Sequence, residues 1–188
     1  MAKIILGFAG MPGAGKGTAA NYIKEKYGAS MFRFSTVLSD IIKRLSLPVN
    51  RENLIKLSEI LRHGFGEDIL AHVVESDALS DSSDVVVIDG VRRINDLSGL
   101  EPLSQFKLVA IDAPPEIRYR RLINRGERAG EKDMTWEQFQ AEEKAPTEVT
   151  IQPVMERAAY KINNSGDLDA LFAQLDKMMA ELRAQPRV

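Results

Sequence analysis

The chain has 188 residues, 44% of them hydrophobic and 28% charged, with a formal net charge of −2 and no cysteine. That length suits one domain, residues 1–188, with a substantial core. The slight acidic balance argues against a dedicated nucleic-acid binder, the missing cysteines exclude disulfides and a thiolate metal site, and no apolar stretch reaches the length of a membrane span. With no signal-like pattern at the N-terminus, the expected location is the cytoplasm.

The first apolar run, residues 4–9, reads as a buried strand. It feeds Gly10-Met11-Pro12-Gly13-Ala14-Gly15-Lys16-Gly17-Thr18, and a helical pattern over 15–27 follows. A strand, a glycine-rich turn and a helix in that order make G-x-x-x-x-G-K a phosphate cradle. Residues without Cβ let the backbone wrap closely, its N–H groups converge as an anion nest, and the helix adds its positive end. Lys16 supplies a cation for the β- and γ-phosphates. Residues 10–18 therefore read as a nucleoside-triphosphate site.

Further strands are expected at 31–34, 85–89 and 108–112, and a weaker one at 160–162. Helical patterns lie between them at 39–45, 51–62, 68–79, 116–124 and 135–144. The penultimate one opens on Thr135-Trp136-Glu137-Gln138, a capping box. The last, 168–182, carries Leu168, Leu171, Leu175, Met178 and Leu182 at helical spacing. Strand alternating with helix predicts an α/β fold with a parallel sheet covered on both faces, and ligands at the strands' carboxyl ends. The polar stretch 125–135 is the candidate mobile lid. His63 and His72 lack a companion cysteine and do not make a metal pair.

In the standard loop a Ser or Thr follows the lysine and ligates Mg²⁺. Gly17 stands there, and Thr18 comes one residue later. The metal is therefore expected to rest on phosphates, water and a carboxylate from elsewhere. Asp89, closing the strand Val85-Val86-Val87-Ile88, is the candidate, acting through water; its other reading is a helix cap.

Lys-Gly-Thr after Gly-x-Pro-Gly-x-Gly resembles adenylate kinase and the other P-loop nucleoside monophosphate kinases, with dephospho-CoA kinase as a neighbour. The resemblance implies a P-loop three-layer α/β/α sandwich with a five-stranded parallel sheet and a small helical lid at 125–147. It also implies an acceptor-binding helical region at 36–80. Ser35-Thr36 looks like the start of the family's monophosphate-binding helix, and Lys43 takes the place of an arginine that usually ends that stretch. Leu61-Arg62-His63-Gly64-Phe65-Gly66 is similar to a segment carrying a second acceptor-side arginine. Asp89-Gly90-Val91-Arg92 resembles a turn whose arginine grips the acceptor phosphate. Arg121-Leu122-Ile123-Asn124-Arg125 matches the lid entrance, with Arg128 inside the lid. The stretch 160–168, with Asn163, Asn164 and Gly166, looks like the loop that edges the adenine. Glu142 stands where related kinases carry a lid-helix arginine, with Lys144 beside it.

Phosphoryl transfer depends on positioning and charge neutralisation, and arginine forks bind phosphate bidentately. Lys16, Arg92, Arg121, Arg125 and Arg128 are the catalytic candidates. Arg118 and Arg120 are expected on the helix flank or in solvent. A hydroxyl acceptor needs a carboxylate base. Phe32-Arg33-Phe34-Ser35-Thr36-Val37 offers none, and Asp40 lies a turn further on. The expectation is a kinase using ATP and Mg²⁺ on a nucleoside or deoxynucleoside monophosphate, working on a small molecule as a monomer or weak homodimer. The alternatives are a hydroxyl acceptor such as dephospho-CoA, and a nucleotide-dependent regulatory ATPase.

Overall fold

Short runs rich in Val and Ile, apolar on both faces, form strands that must be covered from both sides. The structure, a computed structural model, describes residues 4–126 and 131–184. The strands β1 (Ile4–Ala9), β2 (Ser30–Arg33), β3 (Val85–Val91), β4 (Phe106–Asp112) and β5 (Tyr160–Asn163) lie in the order β2-β3-β1-β4-β5. All neighbouring pairs are parallel. β1 is central, with Phe8 opposite Asp89 of β3, and Arg33 of β2 opposite the same Asp89.

Alternate strand residues feed two separate cores. Ile5, Val86, Ile88, Leu108 and Ala110 pack on one face with Phe34 and Leu38 of α2 (Phe34–Arg44), Leu70 and Val74 of α4 (Ile69–Ser80), and Ile151 and Val154 of α8 (Ile151–Glu156). Between α2 and α4, α3 (Arg51–Phe65) adds Leu54, Leu57 and Leu61 to the same face. Leu6, Phe8, Val87, Val109 and Ile111 pack on the other face. Their partners are Ala19, Ala20 and Ile23 of α1 (Lys16–Tyr27) with Leu171, Leu175, Met178 and Met179 of α9 (Leu168–Ala184). The result is a three-layer α/β/α sandwich. Among the described residues no helix is long and apolar enough to cross a membrane.

Several boundaries differ from the sequence pattern. Helix α2 begins at Phe34, not near residue 39, because Phe34, Leu38 and Ile42 form one buried stripe at four-residue spacing. Phe34 therefore leaves the second strand. Strand β3 continues to Val91, and α3 runs to Phe65. Two short helices, α7 (Pro146–Val149) and α8, occupy a stretch the pattern left blank. Pro146 and Pro153 sit in the first turns of these helices, where a missing N–H costs nothing. The remaining helices are α5 (Pro115–Arg125) and α6 (Trp136–Glu143).

Candidate functional site

Residues 10–15 leave the carboxyl end of β1 and turn into α1. Gly13 and Gly15 have φ of 78° and 97°, a region that side chains rarely adopt. A Cβ on Gly13 would lie 2.6 Å from the Arg118 carbonyl oxygen, and one on Gly15 would strike the Asn164 amide. The loop thus presses on α5 from one side and on the turn after β5 from the other. The Lys16 ammonium donates to the carbonyls of Gly10 and Met11 at 2.7 and 3.2 Å, bracing the turn. Ala14 is buried, Met11 and Pro12 are half-buried, Gly17 opens the first turn of α1, and Thr18 beside it is exposed.

Asn164 is buried and bonds the loop directly, donating from Nδ2 to the Ala14 carbonyl at 2.8 Å. Its Oδ1 accepts from Arg121 Nη2 at 3.4 Å. Arg121 Nη1 is buried with no hydrogen-bond partner, and lies 4.0 Å from where a Gly15 side chain would begin. Burial pushes the Arg121 guanidinium below the usual arginine range, so this cation stands to gain from a bound anion. Asn163 and Gly166 form the exposed turn beyond, where Asn163 Oδ1 accepts from the Ser165 N–H at 3.0 Å.

Asp89 is the last residue of β3 paired with β2, and it lies opposite Phe8 of β1 just before a shift in register. Its Oδ2 forms an ion pair with Arg33 Nε at 3.1 Å, while Oδ1 is buried without a hydrogen-bond partner. A carboxylate oxygen left unbonded at a strand's carboxyl end, beside a phosphate loop, suits the water shell of Mg²⁺. The donor set fits the metal. The described residues hold no cluster of three or more His, Cys, Asp or Glu that could ligate one outright.

Arg92 follows β3. Its Nη1 donates to both oxygens of Glu148 on α7, at 3.0 and 3.2 Å, and Glu148 is buried. Nε and Nη2 of Arg92 make no hydrogen bond among the described residues. Arg51 approaches Glu148 from α3 at 3.6 Å. Above them lies a cleft of about 480 Å³ between Met11 of the loop, Gln140, Glu143 and Lys144 at α6, and Glu148 and Gln152.

Other candidates fall elsewhere. Arg62 is buried behind the site, bonded through Nη2 to Asp96 at 2.6 Å, through Nε to Ser58 at 3.3 Å, and through Nη1 to the Glu67 carbonyl. The expected direct contact with an acceptor gives way to an internal ion pair, because Asp96 completes the Arg62 fork from across the fold. Ser35 and Thr36 are exposed in the first turn of α2. Lys43 forms an exposed pair with Asp40 at 3.5 Å. None of the three bonds to the Arg92–Glu148 pair.

Arg125 pairs with buried Glu131 at 2.7 Å, and Arg128 lies outside the described residues. Arg118, expected on the flank, is buried. Its Nε donates to the Ala113 carbonyl at 2.9 Å, Nη1 sits 2.5 Å from Glu143, and the guanidinium lies over the Phe139 ring. The signal for Arg118 was present, since positions 118, 121 or 122 and 125 share one helix face. Glu148 had no such signal. His72 pairs with Asp68 and Glu75 on the exposed side of α4.

A parallel sheet in this order, with a lysine-bearing glycine loop joining its central strand to α1, defines a P-loop kinase fold. Consistent with that class, the shikimate kinase of Bacteroides thetaiotaomicron superposes with a TM-score of 0.60 at 19% identity, over 96% of this chain and 98% of that one. The chain belongs to the AAA domain family AAA_17, whose model matches residues 9–140, and with it to the UPF0200 proteins. The UPF0200 protein TK1334 of Thermococcus kodakarensis is 31% identical over 178 residues, 92% of this chain and 95% of that one. A UPF0200 protein of Hyperthermus butylicus is 28% identical over 183 residues, 97% of each.

Proposed function

We propose that this protein is a phosphotransferase that uses ATP and Mg²⁺ to phosphorylate a nucleoside or deoxynucleoside monophosphate. The observation that carries the reading is a pair of incompletely bonded arginines on either side of the phosphate loop. Arg121 has a buried Nη1 without a partner beside Gly15, and Arg92 keeps Nε and Nη2 unbonded beyond Glu148. Transfer between two anionic nucleotides needs positive charge on both the donor and the acceptor side.

Bound ATP with Mg²⁺ would supply the phosphoryl group and neutralise much of its charge. The chain's own part is to hold and orient. Backbone N–H groups at the end of the loop and the start of α1, from Gly15 to Thr18, and the Lys16 ammonium receive the donor phosphates, and Arg121 stabilises them. Asp89 Oδ1 would hold the water shell of Mg²⁺. Arg92 holds the acceptor phosphate. The segment 125–147, with Arg125 at its entrance, serves as the lid that excludes water, which would otherwise consume ATP. The helices of 36–80 form the acceptor side.

A second reading, a hydroxyl acceptor, is favoured by the same Asp89 Oδ1, which could take a proton. Asp40, the other carboxylate considered, is exposed and tied to Lys43.

ADP release with ATP and Mg²⁺ is measured across ribo- and deoxynucleoside monophosphates and dephospho-CoA, with Lys16→Ala as the blank. Stimulation by one or a few monophosphates is the expected result. Stimulation by dephospho-CoA alone moves the protein to the hydroxyl reading. A flat panel with intact ATP binding leaves a regulatory ATPase.

A further inference from the structure

Glu148 is 3% exposed, lines the cleft and accepts from Arg92. A buried carboxylate beside an anion site is costly unless it has a task. Its bonding describes that task. Both oxygens accept from one nitrogen of Arg92, Nη1, and Arg51 Nη2 stands 3.6 Å from Oε1. The main chain of the same residue is held separately. Asp96 Oδ2 accepts the N–H groups of Arg92 and Arg93, each at 3.0 Å, while Asp96 Oδ1 pairs with buried Arg62. Arg92 is therefore fixed at two points, each by a carboxylate that a further arginine holds in place.

We propose that Glu148 is the positioning residue of Arg92. Backed by Arg51, it holds one guanidinium nitrogen and leaves Nε and Nη2 for an oxyanion. The role rests on the phosphotransfer reading for its consequence in catalysis, but not for the clamp itself. Competition between Glu148 and the acceptor for Arg92 is the opposite model. It is disfavoured because removing Arg92 would leave a buried carboxylate with the Thr147 hydroxyl at 3.2 Å and Arg51 at 3.6 Å, both on Oε1, and no hydrogen bond on Oε2 among the described residues. Arg51 is itself shared with Glu142 at 3.9 Å, and the two nitrogens of Arg92 that Glu148 does not use give an anion a place without displacing Glu148.

Two measurements on the full chain test this with wild type, Glu148→Gln, Glu148→Asp and Arg51→Ala. The first is ¹⁵N relaxation of the arginine Nε–Hε groups, with Arg92→Lys assigning the signal; it needs no turnover. Arg92 is expected to be rigid in wild type, mobile in Glu148→Gln, and largely restored in Glu148→Asp. The second is the KM split. Glu148→Gln is expected to raise the acceptor KM about tenfold or more, with the ATP KM within about twofold of wild type. Equal Arg92 mobility in wild type and Glu148→Gln overturns the proposal, as does a lowered acceptor KM. Should Glu148→Gln not fold, Arg51→Ala replaces it: a loosened Arg92 supports the clamp and an unchanged one overturns it. If no acceptor stimulates the wild type, the phosphotransfer reading falls, and the relaxation data still decide the clamp.

Discussion

Gly13, Gly15 and Gly17 stand two residues apart, yet a methyl group would meet something different at each. At Gly13 it runs against the backbone of Arg118 in a left-handed conformation, and at Gly15 against Asn164. At Gly17 it meets nothing within 4 Å. Gly17→Ala is therefore expected to match or exceed wild-type stability, by about 0.5–1 kcal/mol at most, through the helix preference for Ala. Gly13→Ala is expected to lose about 1–3 kcal/mol through backbone strain, before any cost of moving α5. Urea unfolding of the two variants beside wild type checks the order. The same residue-scale logic separates the arginines. A guanidinium with a full set of partners, such as Arg62, is part of the frame, and one with an unbonded nitrogen, such as Arg121, is available to a ligand.

At the scale of elements, α1 and α9 cover one face of the sheet and are joined by a polar tie. Asp176 Oδ1 accepts from Tyr22 and Tyr27 at 2.8 and 2.7 Å, and Oδ2 pairs with Lys26 at 2.8 Å. The Lys26 bond, then that of Tyr27, holds the Asp176 carboxyl below its ordinary value of 3.8. Burial, then the Asp176 bond, pushes Tyr27 up to about 12 from 10.0. The signs differ. The Asp176 contribution is present above 3.8 and disappears as the pH falls through its lowered folded value. The Tyr27 contribution is present below 10 and disappears between 10 and about 12. Asp176→Asn is expected to flatten the acid limb of the stability profile and to soften the alkaline limb only in part, since burial is the larger cause at Tyr27; the effect is reduced by salt because the pair is part-exposed. Thermal unfolding across pH 3–12 at two salt concentrations measures it.

Elements also show unequal legibility. The capping box at Thr135 is present as the sequence implied, with Thr135 Oγ1 accepting from Gln138 N at 3.2 Å and the Gln138 side chain accepting from Thr135 N at 2.8 Å. Such a box is written within four residues. Helices α7 and α8 are too short for periodicity to accumulate, and their prolines resemble breakers until the turn they begin is known.

For the whole molecule, the central strand, the loop and α1 share one continuous stretch, so binding at the loop is coupled to the stability of the sheet. A ligand that binds only the folded chain stabilises it by about 2.7 kcal/mol at a hundred times its Kd. ATP with Mg²⁺ is expected to raise the melting temperature with a concentration dependence of that form, and Lys16→Ala to abolish the shift while unfolding cooperatively. Thermal melts over an ATP series, with and without Mg²⁺, provide the test. A shift that survives in Lys16→Ala would place the nucleotide elsewhere.

The phosphate loop, the parallel strands and the layer order could be read from the chain alone because each depends on residues adjacent in sequence. Glycines set the turn, apolar runs set the strands, and alternation with helices sets the layers. The roles of the arginines were decided only by tertiary structure. Arg62 finds Asp96 across 34 residues, Arg92 finds Glu148 across 56, and Arg121 reaches Asn164 across 43. A guanidinium keeps its charge almost everywhere, so its role depends on which carboxylate the fold brings to it, and that depends on packing between distant elements.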